Sequence, residues 1–405
     1  MKIAAIVAEY NPFHNGHKYQ IDKAREILGE DTAIVVVMSG NYTQRGELAI
    51  CDKLIRAKSA VNCGVDLVLE LPHPYSMSSA EFFAKSAIHI IEKIGVADYL
   101  VFGTEDSAIE EIKDYVDLTE SDEFKALYQR LSSDKEFADL GYPKLCEITA
   151  SKLNPAINAK KFSSPNNILA VEYIRALKKE CSHIIPLPIT RKGAGYNDNL
   201  IEGTMFQSAS AIRSLITDGD ISALKYIPEG ARNIYSSALS SKKMPSSEDR
   251  LSTALITNLR LNPPSFSGEI HDASGGLYNR LYKLSFKANS IQSLTSAAET
   301  KKYTKARIRR AIWNTFFGVT SSEVRTLPAF TQILAMNSVG RQVLKRIPKT
   351  ADFHVFTKPS RSSSLPEHII EAKARADRAD SVYGLSLEDP NNGSFYLTMT
   401  PYVKE

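Results

Sequence analysis

The first hundred residues alternate between short β-branched runs and amphipathic segments, and this pattern constrains the fold more than any other feature of the chain. The strand-like runs are Ile3–Ala8, Thr32–Met38, Val65–Leu71 and Ala97–Phe102. Helical periodicity lies between them, at residues 17–28, 52–62 and 78–94. This order predicts an α/β fold with a doubly wound parallel sheet, which binds its ligands at the carboxyl ends of the strands.

Helices predominate in the rest of the sequence. Residues 105–183 are mostly helical in pattern, and a fifth strand-like run follows at Ile184–Thr190. After about residue 230 the strand-helix alternation fades. The helices predicted there cover residues 253–259, 277–289, 305–317, 329–344 and 366–379.

The charge is distributed unevenly along the 405 residues, whose formal net charge is +4. Residues 231–405 hold 25 Lys and Arg against 14 Asp and Glu, whereas residues 1–230 hold 25 against 32. An excess of positive charge in one half indicates a polyanionic partner for that half. We therefore predict two domains, a ligand-binding α/β domain at 1–230 and a mainly α-helical basic domain at 231–405.

The same composition argues against membrane and metal-site functions. No apolar run reaches the roughly 18–20 residues that a bilayer span requires. The four cysteines, Cys51, Cys63, Cys146 and Cys181, are scattered and match no zinc-site spacing. Scattered cysteines are typical of a reducing compartment, so we predict a cytoplasmic protein with no metal site of its own.

The segment Glu9–His17 follows the first predicted strand and contains an HxGH motif. His14 and His17 stand three residues apart at the predicted start of a helix, so their imidazoles are expected on one side. Gly16 carries no side chain, which lets a nucleotide approach the backbone, and the helix N-terminus favours phosphate. Imidazole N–H groups can stabilise charge that develops on an attacked α-phosphate. We predict an ATP site with His14 and His17 as catalytic residues; the alternative is two histidines in an ordinary turn.

Three further segments lie where the carboxyl ends of the strands are expected, and a fourth opens a predicted helix. Ser39–Glu47, Phe102–Glu105 and Arg191–Tyr196 follow the second, fourth and fifth strands, and an Arg191 guanidinium suits a phosphate. Ser208–Arg213 resembles the Ser-Ser-Thr-x-Ile-Arg signature of HxGH nucleotidyltransferases, with Ala in place of the middle Ser. Solvated loops, a simple turn and a helix N-cap are the structural alternatives.

The basic half contains one dense cluster, with six cations between residues 301 and 310. On a helix these cations would form a face that neutralises phosphates, and an aromatic ring within it could stack on a base. A solvated helix face is the alternative, but the excess positive charge of this half favours nucleic acid. The residues predicted to bind it are Lys301, Lys302, Tyr303, Lys305, Arg307, Arg309 and Arg310.

Several of these motifs together resemble one known family over nearly the whole chain. They are Glu9–His17, Ser39–Glu47, the Ser-Pro-Asn-Asn-Ile-Leu segment at 164–169, Arg191–Tyr196 and the Lys-Tyr-Thr-x-Ala-Arg segment at 302–307. In these motifs the sequence is similar to the bacterial tRNA(Met) cytidine acetate ligases.

The resemblance implies a specific two-step reaction. Acetate would attack the α-phosphate of ATP to give acetyl-adenylate and pyrophosphate, with Mg²⁺ as the counter-ion of ATP. The N4 amine of the wobble cytidine, position 34 of elongator tRNA(Met), would then take the acetyl group to give N4-acetylcytidine and AMP. The resemblance does not decide whether Asn166 or its neighbour Asn167 contacts the nucleotide. It otherwise implies a specific set of ATP contacts. These are Val7, Ala8, Glu9, Tyr10, Asn11, Pro12, Phe13, His14, Asn15, Gly16, His17, Lys18, Tyr19, Gln20, Gly103, Asn166 and Arg191.

Two other functions fit parts of the sequence. A small-molecule adenylyltransferase would share the HxGH motif and the Ser208–Arg213 helix start, but it leaves the basic half unexplained. A non-catalytic RNA-binding protein would explain the basic half, but the intact pair His14 and His17 argues against it.

Overall fold

The central sheet is mostly parallel and carries helices on both faces. The computed structural model describes residues 1–105, 108–137, 140–191, 205–266, 268–357 and 365–405. Its strands are β1 Ile3–Ala8, β2 Ala33–Ser39, β3 Leu67–Leu71, β4 Tyr99–Thr104, β5 Ile185–Thr190, β6 Phe330–Met336, β7 His354–Phe356 and β8 Tyr402–Val403. The strand order is β5-β4-β1-β2-β3-β6-β7, and β8 also pairs with β6.

The helices fill the connections and the second half of the chain. In chain order they are α1 Asn15–Leu28, α2 Lys53–Asn62, α3 Ala80–Ile94, α4 Ile109–Glu120, α5 Asp122–Ser132, α6 Tyr142–Leu153, α7 Pro165–Lys179, α8 Ala209–Thr217, α9 Glu229–Ser240, α10 Asp249–Leu261, α11 Leu277–Ser285, α12 Ile291–Ala298, α13 Lys305–Phe317, α14 Ser321–Arg325, α15 Ser338–Arg346, α16 Glu367–Gly384 and α17 Phe395–Thr398.

Burial on both faces explains why the first strands form a parallel sheet. Every residue of β2 is buried, as a continuous β-branched run requires. β1 lies between β2 and β4 and pairs with both in parallel, and β4 pairs in parallel with β5. The predicted doubly wound α/β fold is therefore confirmed. The carboxyl ends of β1, β2, β4 and β5 share one edge of the sheet.

The prediction of a single helix at 329–344 is wrong. Residues Phe330–Met336 form β6, which pairs antiparallel with β3, and a helix begins only at Ser338. A short apolar run is compatible with either a helix or a buried strand, and here pairing with β3 decides between them. The Asn337 side chain accepts a hydrogen bond from the Gly340 N–H and caps α15, which separates the two elements.

The two halves of the chain are joined by a buried polar network at the β2–α2 loop. The Lys53 ammonium is buried between the carboxylates of Glu70 and Asp380, and its Nζ lies 2.7 Å from Glu70 Oε1. Asn41 Nδ2 donates to Asp380 Oδ1 at 2.9 Å, so α16 packs directly against the loop. Residues beyond 231 therefore contribute both to the sheet and to this network, while the domain boundary at 230 stays a prediction.

Among the described residues, no helix has the length and apolar character that crossing a bilayer would require.

Candidate active site

A cleft opens at the carboxyl ends of β1, β4 and β5, beside the N-terminus of α1. Thirteen of the predicted ATP contacts line its wall. The remaining four, Pro12, Phe13, Asn15 and Lys18, lie in the same segment but away from the cleft wall. The wall residues are Val7, Ala8, Glu9, Tyr10, Asn11, His14, Gly16, His17, Tyr19, Gln20, Gly103, Asn166 and Arg191.

The two histidines of the HxGH motif form one unit at the start of α1. Their ring centroids are 3.9 Å apart, as expected for side chains that point to one side. His14 Nδ1 accepts a hydrogen bond from the Gly16 N–H at 3.0 Å, and His17 Nδ1 accepts one from the His14 N–H at 3.2 Å. Each ring therefore caps a backbone N–H of the helix start and is fixed by it.

These hydrogen bonds also determine where each imidazole carries its proton. Burial, followed by the charges of Arg191 and Arg213, lowers the pKa of His14 to about 3. Burial, followed by His14 and Arg191, lowers the pKa of His17 well below its usual range. A neutral ring whose Nδ1 accepts a hydrogen bond must carry its proton on Nε2. Both rings are therefore neutral Nε2–H donors near pH 7.

Gly16 makes room for the His14 ring. A Cβ at Gly16 would stand 2.8 Å from His14 Cε1 and 3.1 Å from its Nδ1. The sequence suggested that this glycine exposes backbone to a nucleotide. The structure adds a second requirement, because any side chain here would displace the His14 imidazole.

Gly16→Ala is expected to slow nucleotide activation roughly tenfold or more, because a displaced His14 loses its alignment. The substitution adds no positive-φ strain, so the thermal unfolding temperature should change little. Gly393→Ala is the matched control, since a Cβ there meets nothing within 4 Å. Wild-type rates of ATP–pyrophosphate exchange for Gly16→Ala would contradict this packing role.

A second group of polar residues closes the cleft near β4 and β5. Arg191 Nη1 donates to Asn166 Oδ1 at 2.9 Å, and Asn166 Nδ2 donates to Glu105 Oε1 at 3.3 Å. A Cβ at Gly103 would come within 3.3 Å of the Arg191 side chain, so glycine leaves space for that arginine. Residues 192–196 of the predicted Arg191–Tyr196 segment lie outside the described residues.

The structure distinguishes the two neighbouring asparagines. Asn166 lines the cleft, whereas Asn167 is buried. Asn167 Oδ1 accepts from the Glu105 N–H at 3.2 Å, and its Nδ2 donates to Lys161 O at 2.9 Å. Asn167 therefore fixes the end of β4, and Asn166 is the one that faces the cleft.

The start of α8 forms the third side of the cleft. Ser208 caps the helix by accepting from the Ala211 N–H at 3.1 Å, as the structural alternative for this segment anticipated. It also lines the cleft together with Arg213. Arg213 Nη1 donates to Asn11 O at 3.0 Å, which links this helix to the HxGH segment. The N-termini of α1 and α8 and three arginines thus border one cleft, an arrangement that suits a polyphosphate.

Comparison with known proteins agrees with this geometry. The family model described as HIGH Nucleotidyl Transferase matches residues 1–393. A tRNA(Met) cytidine acetate ligase of Thermoanaerobacter sp. (strain X514) is 36% identical over 367 residues, which cover 89% of each chain. Another from Clostridium novyi (strain NT) is 35% identical over 416 residues and covers 100% of both chains. The chain belongs to the tRNA(Met) cytidine acetate ligase family.

Solved structures extend the likeness to the whole fold. Thermotoga maritima TmcAL in its apo form I has a TM-score of 0.91 and 28% identity, and it covers 100% of this chain and 99% of its own. A second structure of the same protein, described as bound with alpha-thio ATP, has a TM-score of 0.89, 27% identity and the same coverage. The family resemblance and the fold class drawn from the sequence are both confirmed.

The cleft also contains residues that were not among the predicted ATP contacts. Phe83 on α3, and Leu169 and Tyr173 on α7, line its apolar end together with Phe102. Phe102 and Tyr173 are in contact, with ring centroids 5.9 Å apart. Phe83 and Tyr173 lie on helices with ordinary amphipathic patterns, so no motif marked them, whereas Leu169 ends the 164–169 segment. Leu169 and Tyr173 do lie one and two turns beyond Asn166, on the same helix face.

The predicted nucleic-acid cluster lies at the start of α13 and divides by exposure. Lys301, Lys302 and Lys305 are exposed, whereas Tyr303 and Arg310 are buried. The Tyr303 hydroxyl donates to Gly275 O, and Arg307 Nε donates to Asp272 O at 3.0 Å. Arg310 Nε donates to Asp272 Oδ2 at 2.7 Å, and Arg309 Nη1 donates to Glu47. The role of all seven residues in binding nucleic acid stays a prediction.

No group of three or more His, Cys, Asp or Glu side chains within the described ranges is placed to hold a metal ion.

Proposed function

We propose that the protein is an ATP-dependent tRNA(Met) cytidine acetate ligase. It activates acetate as acetyl-adenylate and transfers the acetyl group to N4 of cytidine 34 in elongator tRNA(Met). The observation that carries the proposal is the pair of neutral imidazoles at the start of α1, set in a cleft bordered by Arg191 and Arg213. The names of the tRNA(Met) cytidine acetate ligases reported above indicate the acceptor, a cytidine of tRNA(Met), and the acyl donor, acetate.

The polar walls suggest how ATP lies in the cleft. The α-phosphate sits against the Nε2–H groups of His14 and His17, and the outer phosphates extend toward Ser208 and Arg213. The nucleoside lies along Gly103 and Asn166. Mg²⁺ would accompany ATP as its counter-ion and offset part of the charge of the phosphates.

The first step forms one bond and breaks one. A carboxylate oxygen of acetate attacks the α-phosphorus, and pyrophosphate leaves with the electrons of the broken P–O bond. Negative charge grows on the oxygens of the α-phosphate during the attack. Two fixed N–H donors stabilise that charge without having to reorient, which is the most effective form of electrostatic catalysis.

The second step passes the acetyl group to RNA. The cytidine N4 attacks the acetyl carbon, AMP leaves, and the amine loses one proton. The excess of positive charge after residue 231 supports a polyanionic acceptor. Because acyl-adenylates react with water, the loops around the cleft have to limit solvent access between the steps. An elongator tRNA substrate places the reaction in the cytoplasm.

The direct test combines the protein with radiolabelled acetate, ATP and total tRNA. We expect label in tRNA, recovered as N4-acetylcytidine after nuclease digestion, with one AMP and one pyrophosphate for each acetyl group transferred. Label or AMP on a small metabolite, with none on tRNA, would instead indicate a small-molecule adenylyltransferase.

The exposed lysines at the start of α13 are proposed to contact tRNA phosphates. Replacing Lys301, Lys302 and Lys305 with Ala should weaken tRNA binding at moderate salt. It should also reduce the slope of log affinity against log salt by about 2–3, since each lost phosphate contact removes about 0.9. Filter binding across a salt series measures both quantities. ATP–pyrophosphate exchange without tRNA should persist.

Replacing Lys113, Lys125 and Lys152 with Ala is the matched control for net charge, because these exposed lysines lie in the acidic half. An equal loss of tRNA affinity in both triple variants would mean that only overall charge matters. That outcome would remove α13 from the proposed interface.

A further inference from the structure

The loop between β2 and α2 lies between the cleft and helix α13, and one carboxylate in it contacts both. Glu47 Oε2 lies 3.4 Å from Arg213 Nη2, and Arg309 Nη1 on α13 donates to Glu47 Oε1. The three side chains are partly buried, with 29% of Glu47, 21% of Arg213 and 24% of Arg309 exposed. A residue that lines the cleft is therefore connected to the basic helix by a single shared carboxylate.

The loop that carries Glu47 is held in one conformation. The Thr43 N–H donates to Glu47 O at 2.9 Å, and the Gly46 N–H donates to Thr43 O at 2.9 Å. Gly46 has a φ of +72°, and a Cβ on it would stand 2.6 Å from the Arg310 backbone nitrogen. Only glycine therefore permits this close approach of the loop to α13.

A second connection runs parallel to the first. Arg310 Nη1 donates to Gln44 O at 3.2 Å, and the Gln44 N–H donates to Glu9 Oε1 at 2.8 Å. Glu9 and Gln44 both line the cleft. The start of α13 thus contacts the cleft wall through two adjacent arginines, and neither guanidinium is simply a solvated charge.

The charge balance explains why Glu47 needs two cations. A Glu47–Arg213 pair alone would be neutral, and its carboxylate would offset the attraction of Arg213 for phosphate. With Arg309 on the other carboxylate oxygen, the group of three carries a net positive charge. Glu47 can then anchor the Arg213 guanidinium while the three side chains together keep one positive charge.

We propose that Glu47 and Arg309 are positioning residues for ATP activation, acting through Arg213. The inference rests on the proposed function only in placing the outer phosphates of ATP beside Arg213. It assigns Arg309 to the adenylation step. The sequence cluster instead assigns Arg309 to tRNA binding, and the two roles predict different measurements.

Arg309→Ala should raise the KM for ATP roughly tenfold in acetate-dependent ATP–pyrophosphate exchange, because a charge-assisted contact is lost and Glu47 then offsets Arg213. The kcat should change less than the KM. Arg309→Lys keeps the charge and should restore most of the lost affinity. Arg375→Ala is the matched control, since Arg375 Nε lies 2.7 Å from Glu323 Oε1 in an ion pair away from the cleft.

Glu47→Gln separates anchoring from charge. The amide keeps the shape of the side chain but loses the ion pairs, so Arg213 is held less firmly in a cleft that is more positive. The kcat of exchange should fall roughly tenfold, with the KM for ATP unchanged or lower. A purely structural defect would not divide the two variants into a KM effect and a kcat effect.

Two results would overturn the inference. One is wild-type exchange in Glu47→Gln. The other is an Arg309→Ala variant that exchanges normally and loses tRNA affinity. The proposed function fails separately, if the wild-type protein shows no acetate-dependent exchange. In that case ATP affinity measured by calorimetry on the same variants still tests the positioning role.

Discussion

His14→Ala and His17→Ala are each expected to slow acetyl-adenylate formation by about 100- to 1,000-fold, the usual effect of removing one fixed donor from a developing oxyanion. Each substitution deletes an Nε2–H that the backbone has already oriented through Nδ1. ATP–pyrophosphate exchange with acetate, measured without tRNA, isolates this step. Because the rings act as one unit, the double variant should be little slower than the more severe single variant.

Two cap-preserving substitutions distinguish catalysis from folding. Asn at position 14 and Gln at position 17 can still accept the backbone N–H groups that the imidazoles cap. We expect His14→Asn and His17→Gln to unfold at nearly the wild-type temperature. Their ATP–pyrophosphate exchange should nevertheless remain slow. His368→Asn changes an exposed histidine and is the control. Recovery of exchange in the cap-preserving variants would assign the histidines a structural role only.

The depressed pKa values of the two rings allow a direct check on their protonation state. The ring resonances of His14 and His17 should not titrate between about pH 5.5 and 8, where an unperturbed histidine does. In the unfolded chain these histidines bind protons below about pH 6.5, but in the folded chain they do not. Their contribution to stability should therefore fall as the pH drops below that value.

Local sequence was enough to predict strands β1 to β5 of the sheet and the end of the cleft that carries the HxGH segment. Strands β1 to β5 each have a β-branched or apolar run, and the carboxyl ends of parallel strands necessarily meet at one edge. The HxGH segment follows β1, so its place at that edge was fixed by the fold. Gly103, Asn166 and Arg191 likewise follow or face the ends of β4 and β5, and all three line the cleft.

Long-range pairing was what the sequence could not predict. β6 is a strand because β3 offers it a partner more than 260 residues earlier in the chain, and no local pattern records that. The links from Glu47 to Arg213 and Arg309 have the same origin. In isolation the cations of α13 look like one solvated face, but only the structure reveals that Arg309 and Arg310 turn toward the cleft.

The inward face of α2 carries a sequence pattern that indicates buried charge partners. Lys53 and Arg56 occupy the same helix face as Ala57 and Ala60, and all four are buried. Cations on a core-facing stripe require buried partners, because an unpaired buried charge is strongly unfavourable. The pattern therefore predicts buried partners for Lys53 and Arg56, but it does not identify those partners. In the structure, Lys53 meets carboxylates, and Arg56 meets backbone carbonyls.

Arg56→Met is expected to lower the free energy of unfolding by about 3 kcal/mol or more, since several buried carbonyls lose a charged donor. The side chain is fully buried. Arg56 Nε donates to Cys51 O at 3.0 Å, and Nη1 donates to Glu9 O at 2.6 Å and to Ser39 O at 3.1 Å. Nη2 donates to Gly40 O. One guanidinium thus fixes the segments that follow β1 and β2.

The same substitution should weaken ATP activation, because Glu9 belongs to the cleft wall and Gly40 begins the loop that carries Glu47. Urea denaturation and ATP–pyrophosphate exchange measure the two effects. Arg56→Lys retains the charge, but an ammonium cannot reach four carbonyls in a fork, so it should recover only part of either loss. Arg232→Met is the matched control, because Arg232 is exposed and, among the residues that the structure describes, its side chain donates only from Nε to Ile227 O, at 2.8 Å. An Arg56→Met variant no less stable than Arg232→Met would contradict this prediction. It would mean that the carbonyls around Arg56 accept hydrogen bonds from other donors, and that the positions of Glu9 and Gly40 do not depend on this arginine.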